Sequence, residues 1–334
     1  MLKKSQLKVI DKKQIKKYLR FEEYMKNKII WPEGKQFAFT IFDDTDLATL
    51  ENISPVYSLL LDLGFRTTKS IWPIRGNSKP RIGGITCENQ KYLKFIYNLK
   101  DNGFEIGFHN ATYHSSSREE TITGIEKFKE LLGHYPNSMA NHAECEESIY
   151  WGNCRLTGIH AFIYNLLTRN RNNGIFRGHI VSDKYFWGDI CKEKIKYVRN
   201  FIFSDINTIK ACPVMPYHDP ERKYVNYWFS SSEGADVKEF TNCITESNQD
   251  RLEEEGGACI MYTHFANGFC SDGKINSRFQ SLMKRLSNKN GWFVPVYNLL
   301  DHITEIRGPH IISHKERKQL EIKWLCHKIR VGTT

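Results

Sequence analysis

Short apolar runs that stop abruptly at polar residues recur along the chain, and longer stretches of helical periodicity lie between them. Residues 36–42 are mostly apolar and end at Asp43, Asp44, Thr45 and Asp46. Residues 65–72, 104–108, 137–141, 159–164, 178–182, 200–204, 258–263 and 292–296 read as further strands. An apolar run without alternation is the mark of a strand buried on both faces, as in a parallel sheet. Residues 47–63, 88–102 and 116–132 read as helices, each closed by a glycine, Gly64, Gly103 or Gly133. More helices are predicted at 146–155, 189–198, 235–254, 275–289, 296–305 and 314–328, and residues 205–234 read as a long loop. Strand–helix alternation over this length predicts an α/β protein with a parallel sheet, closed or doubly wound. No Pro/Gly-rich linker divides the body, and 334 residues suit one β/α barrel.

Composition is that of a globular chain with a full core, 40% hydrophobic and 26% charged. The net charge of +10 sits at the ends. Residues 1–34 carry ten basic against four acidic side chains, and residues 307–334 carry seven against two; the body between is nearly neutral. The expected organisation is therefore a basic N-terminal helical extension (1–34), a body (35–306) and a basic C-terminal helical tail (307–334). A nucleic-acid reader carries its positive charge on the binding fold, so nucleic acid is not the expected partner. Basic ends are either solvated helical faces or a collar for peripheral contact with an anionic membrane surface. Nine cysteines without a C-x-x-C pair argue against a disulfide framework or a zinc knuckle. The first residues lead into charge rather than an apolar run, and no stretch approaches membrane-spanning length; a cytoplasmic setting is expected.

Three apolar strands end in groups suited to metal binding or acid–base work. The first ends in Asp43, Asp44 and Asp46, the second in His109 with His114 behind it, and the third, 259–263, in His264. In a parallel barrel such ends converge on one mouth. Adjacent carboxylates on an extended chain point to opposite sides, so one of Asp43 and Asp44 could hold a cation while the other takes a proton. Asp46 or Thr45 reads as the N-cap of the next helix. His109 and His114 are too far apart in angle to share a helix face but could meet at one ion from a loop.

These residues resemble the polysaccharide deacetylases, the NodB-like carbohydrate esterases. The first signature of that family, Thr-Phe-Asp-Asp, is matched by Thr40-Ile41-Phe42-Asp43-Asp44. The second is matched by Glu105-Ile106-Gly107-Phe108-His109 with His114 following, and the last by the apolar strand ending at His264. The resemblance covers roughly residues 35–300. It implies a distorted barrel of about seven parallel strands and a hydrolase that removes an N-acetyl group from a sugar or glycan precursor. It implies Asp43 as general base, His264 as general acid, and Asp44, His109 and His114 as ligands of one divalent metal ion, commonly zinc. Asn141, His142 and Trp187 stand where substrate contacts are expected, with His142 an alternative to His114 at the metal. The family's Arg-x-Pro element has no match at 139–142, and the histidine spacing is five rather than four. A second reading follows from those departures: a non-catalytic, carbohydrate-binding relative.

Overall fold

The structure is a computed structural model and describes residues 29–331, except 144 and 172. Seven strands pair side by side and close on themselves: β1 (Phe37–Asp43), β2 (Thr68–Ile71), β3 (Glu105–Phe108), β4 (Ser138–Met139), β5 (Tyr197–Phe203), β6 (Tyr227–Ser232) and β7 (Ala258–Thr263). Every neighbouring pair is parallel, and the ring is closed by β7 on β1 in register from Ala38↔Ala258 to Asp43↔Thr263. This is the seven-stranded β/α barrel expected from the resemblance. Short strands outside it extend the sheet: Gly291–Trp292 beside β1, and Tyr217–His218 antiparallel to β6. All seven residues of β1 are buried, as its unbroken apolar run requires.

Helices α1 (Leu50–Asp62), α2 (Gln90–Asp101) and α3 (Arg118–Leu132) follow the first three strands. The first starts three residues later than the pattern suggests. Its N-cap is Thr49, in a reciprocal capping box with Asn52, which releases Asp46 and Thr45 from the capping role expected of them. Residues 159–164 are not a strand but lie in helix α4 (Gly158–Leu167), and 178–182 form turns. Short apolar runs do not separate strand from helix, and Ile159, Phe162 and Leu166 have the spacing of one helical face. Residues 205–234 hold a barrel strand, β6, whose Ser230–Ser232 half disguises its burial. Residues 146–155 are turns and one 3₁₀ turn, Gly152–Arg155, rather than a helix.

The basic N-terminal extension lies outside the described residues up to position 28. The basic C-terminal stretch forms a helix, His314–Val331, packed on α4 and β5. Trp324 is fully buried beneath it, and Glu321 accepts hydrogen bonds from Thr157 at 3.0 Å and from His160 Nδ1 at 2.6 Å. No helix among the described residues is long and apolar enough to cross a membrane.

Glu105, the first residue of β3, is buried in the barrel layer, where it accepts hydrogen bonds from Thr68, Ser138 and the Tyr297 backbone. Burial outweighs those donors and pushes its carboxyl up to about 7. In the unfolded chain a glutamate titrates near ~4.3. Stability from the neutral carboxyl is thus fully present below pH ~4 and is lost as pH rises to about 7, by roughly 3 kcal/mol in all. Urea unfolding of Glu105→Gln should show a stability relative to wild type that climbs by about that amount between pH 4.5 and 7.5. Parallel pH profiles for the two proteins would contradict this account.

Candidate metal centre at the barrel mouth

Asp43 closes β1, and Asp44 and Asp46 follow it into the mouth. Alternation sends Asp43 outward, away from the mouth and toward α1. Its Oδ2 accepts hydrogen bonds from Lys69 Nζ at 2.8 Å and the Tyr57 hydroxyl at 2.9 Å, and its Oδ1 accepts the Phe265 N–H at 2.8 Å. Asp43 and Lys69 are both wholly buried. Burial pushes the Asp43 carboxyl up, and the Lys69 charge pulls against it. These contacts hold Asp43 on the α1 side of the sheet, and of the three aspartates only Asp44 and Asp46 line the cavity at the mouth.

Asp44 faces the barrel interior, where Arg199 of β5 grips it with both terminal nitrogens; the Nη1–Oδ1 hydrogen bond is 2.9 Å. Arg199 is itself buried, stacked over Tyr262 and Phe42 at 4.4 and 5.3 Å from the ring centres. Asp46, two residues on, lies among three imidazoles. Its Oδ1 is 2.7 Å from His142 Nε2, and its Oδ2 is 3.3 Å from His109 Nε2 and 2.9 Å from His264 Nε2. Burial alone would raise the Asp46 carboxyl, but the histidines outweigh it and hold it well below the usual carboxylate range.

Each imidazole is oriented from behind. His109 follows β3 and its Nδ1–H donates to the Ala140 carbonyl at 3.0 Å, while His264 follows β7 and its Nδ1–H donates to the Ala235 carbonyl at 2.9 Å. His142 follows β4, with Nδ1 3.1 Å from Cys145 Sγ. All three therefore turn Nε2 inward, the arrangement that fixes the tautomer of metal-binding histidines. Trp72 packs against both His109 and His142, at 5.8 and 5.5 Å between ring centres. Burial depresses the His264 imidazolium, but the hydrogen bond to Asp46 and the charges of Asp44 and Asp46 prevail and push it up to about 9.

The ligand atoms of Asp46, His109 and His142 lie within 4.8 Å of one another, and so do those of Asp44, Asp46 and His264. His142 Nε2 and Asp46 Oδ1 are close yet not aligned for a hydrogen bond, and both are buried without a hydrogen-bond partner. One carboxylate and two imidazoles with lone pairs left over form a donor set that fits a divalent cation such as zinc.

The structure thus brings together His109, His142, His264 and Asp44 of the residues singled out in the sequence, joins to them Asp46, whose expected capping role Thr49 takes, and adds Arg199. His114 stands apart. The hydrogen bonds of Thr112 to the backbone of 114 and to Ser116 tighten this loop, and the His114 ring lies with Ser78 and Glu120 instead. Gly76 lies against that ring so closely that a Cβ there would fall 2.2 Å from Nε2. Trp187 is wholly buried with its N–H spent on the Glu147 carbonyl at 2.6 Å; it is a packing residue and not part of the mouth. Asn141 lines the mouth but uses its amide to pin Ile149, through hydrogen bonds of 2.8 and 3.0 Å. The missed signals were the spacing Asp44-x-Asp46, which keeps two carboxylates on one side of an extended chain, and an arginine inside a buried strand.

A small cavity of about 70 Å³ adjoins the histidines. Its lining includes Asp44, Asp46, His109 and His264 together with Trp151, Arg155, Trp324 and Lys328.

No protein-family model matches the chain, and no curated protein matches it. Solved structures do. A protein from Mycobacterium smegmatis assigned as a polysaccharide deacetylase is 11% identical, with a TM-score of 0.47 and coverage of 85% of this chain and 96% of that one. The Puue allantoinase is 13% identical, with a TM-score of 0.45 and coverage of 83% and 93%. The peptidoglycan deacetylase PdaC of Bacillus subtilis is 12% identical, with a TM-score of 0.38 and coverage of 88% and 100%.

Proposed function

We propose that the protein is a metal-dependent hydrolase that removes an N-acetyl group from a sugar or glycan precursor. The observation that carries this reading is the trio Asp46, His109 and His142 at the barrel mouth, flanked by an arginine-held carboxylate and a third histidine. The trio would hold a divalent ion, zinc by its donor set, and leave a coordination position open. Such an ion supplies polarisation of a carbonyl and a lowered pKa for a water molecule.

The protein's own groups do the rest. We assign Asp44, rather than Asp43, the role of general base: Arg199 holds its carboxylate with both terminal nitrogens, and each oxygen keeps a lone pair for a water proton. His264 is the general acid. Its Nε2 proton faces the mouth, held by Asp46, and passes to the departing nitrogen as the amide bond breaks. Trp151 and Trp324 line the cavity with apolar surface, and a low-dielectric wall strengthens these charges. The setting we propose is cytoplasmic. The basic N-terminal residues expected to touch a membrane surface fall outside the described residues.

Metal analysis and acetate release from N-acetyl sugars test the reading. Bound stoichiometric metal and metal-dependent acetate release are expected; a metal-loaded protein that releases no acetate from any N-acetyl sugar would instead support carbohydrate binding without chemistry. His264→Gln should lower kcat by about 10²–10⁴-fold while the metal content stays at wild type. A change in KM alone would remove His264 from the proton-transfer role.

A further inference from the structure

The lining of the cavity holds an unusual cation. Arg155 ends the turn Gly152–Arg155, just beyond the loop that carries His142, and is only 4% exposed. Its guanidinium lies between two indoles, 4.0 Å from the Trp151 ring centre and 4.4 Å from that of Trp324. Its Nε–H donates to the Gly152 carbonyl at 3.3 Å, and it also hydrogen-bonds Tyr164. Among the described residues no carboxylate pairs with it. The other deeply buried arginines differ: Arg199 has Asp44, Arg222 has Asp219, and Arg317 has Asp219 and Glu221.

Lys328 lines the same cavity and is also 4% exposed. Its nearest carboxylate, Glu233, is 3.6 Å away and is shared with His327 at 3.9 Å. Two buried cations, one with no carboxylate and one with half of a distant one, thus line the same cavity as the metal centre. Stacking on indoles offsets only part of the cost of burying a guanidinium; a counter-charge offsets the rest.

We propose that Arg155 and Lys328 form an anion subsite that binds a carboxylate or phosphate of the substrate next to the amide being cut. The inference rests on the hydrolase reading for what happens to that amide, but not for the anion. It narrows the substrate class to small acidic N-acetyl sugars, sugar phosphates or sugar acids, rather than a neutral polymer. Arg155 and Lys328 line the same cavity as Asp46, His109 and His264, so the charged group and the acetamide would belong to one small ligand. Trp324 and Lys328 both come from the helix His314–Val331, so that helix completes the subsite.

Binding is tested on the full-length, metal-stripped protein, with no turnover required. Thermal unfolding is followed with inorganic phosphate, with acetate, or with chloride at matched ionic strength. Wild type should gain several degrees in phosphate or acetate over chloride, and Arg155→Met should lose that gain. A response to phosphate alone assigns a phosphate ligand, and a response to acetate assigns a carboxylate. Lys328→Met makes the same comparison should R155M not fold. The second arm compares acetate release from N-acetylglucosamine, N-acetylglucosamine 1-phosphate and N-acetylmuramic acid by the metal-loaded enzyme. One anionic substrate should exceed the neutral sugar at least tenfold in kcat/KM, and R155M should narrow that ratio. No anion-specific stabilisation of wild type, or the same stabilisation in R155M and K328M, overturns the subsite. No turnover of any substrate, with the anion response intact, overturns the hydrolase reading and leaves the subsite standing.

Discussion

Asp46→Ala is expected to abolish metal binding and reduce acetate release to background, while Asp44→Asn keeps the metal and loses about 10²–10⁴-fold in kcat. The difference follows from what surrounds each carboxylate. Asp46 has an oxygen within 3.3 Å of each of three Nε2 atoms, and the hydrogen-bonding capacity of Oδ1 is unspent. Removing it leaves His109 and His142 as two neutral ligands, too few for a stable site. Asp44 instead has Arg199 as its partner, and as an amide it keeps its shape but no longer takes a proton. D44N also leaves the buried Arg199 without a counter-charge, a cost of a few kcal/mol in stability. Metal content and kcat must therefore be read on folded protein. Equal metal loss in the two variants would mean that both carboxylates ligate the ion, as the second grouping, Asp44 with Asp46 and His264, allows.

The barrel was legible because parallel strands leave a strong trace. Residues 37–42 and 104–108 are unbroken buried runs, 258–263 is interrupted only by the half-buried Tyr262, and polar groups follow each of them. β6 was not legible, because Tyr227–Ser232 mixes aromatics with three serines, and buried serines look like loop residues in a sequence. The histidines were assigned to the right strand ends, but sequence order does not say which way a loop side chain turns. His114 is held away from the mouth in a loop tightened by Thr112, and His142 enters it from the loop that follows β4, with Nδ1 beside Cys145 and its carbonyl accepting from Ser148. The acidic run shows the same limit. Asp43 and Asp44 were rightly read as pointing apart, but nothing local tells which points inward; that depends on Lys69 and Arg199, from two other strands. The C-terminal helix carries an excess of basic residues that reads as a solvated surface, yet it also carries Trp324, and a fully buried indole needs something to cover.

Lys69→Met is expected to destabilise the fold by about 3–5 kcal/mol, because it leaves the Asp43 carboxylate buried without its cation. Tyr57 and the Phe265 N–H would still donate to it, yet burial already raises the Asp43 carboxyl with Lys69 in place. Without that lysine the group must either ionise unpaired or take up a proton. Asp43→Asn alone strands Lys69 in the same dry layer and should cost a similar amount. The double variant D43N/K69M has neither charge, so most of the loss should return, and the cycle should give a coupling well above that of an exposed pair, which is ~1 kcal/mol or less. Urea unfolding measures all four proteins. The double variant also separates the two roles open to Asp43. A structural carboxylate predicts that folded, metal-loaded D43N/K69M keeps turnover within about tenfold of wild type, whereas a general base predicts a loss of about 10²–10⁴-fold that no restored stability can repair. Loss on that scale in a stable, metal-loaded double variant would return Asp43 to the chemistry and take Asp44 out of it.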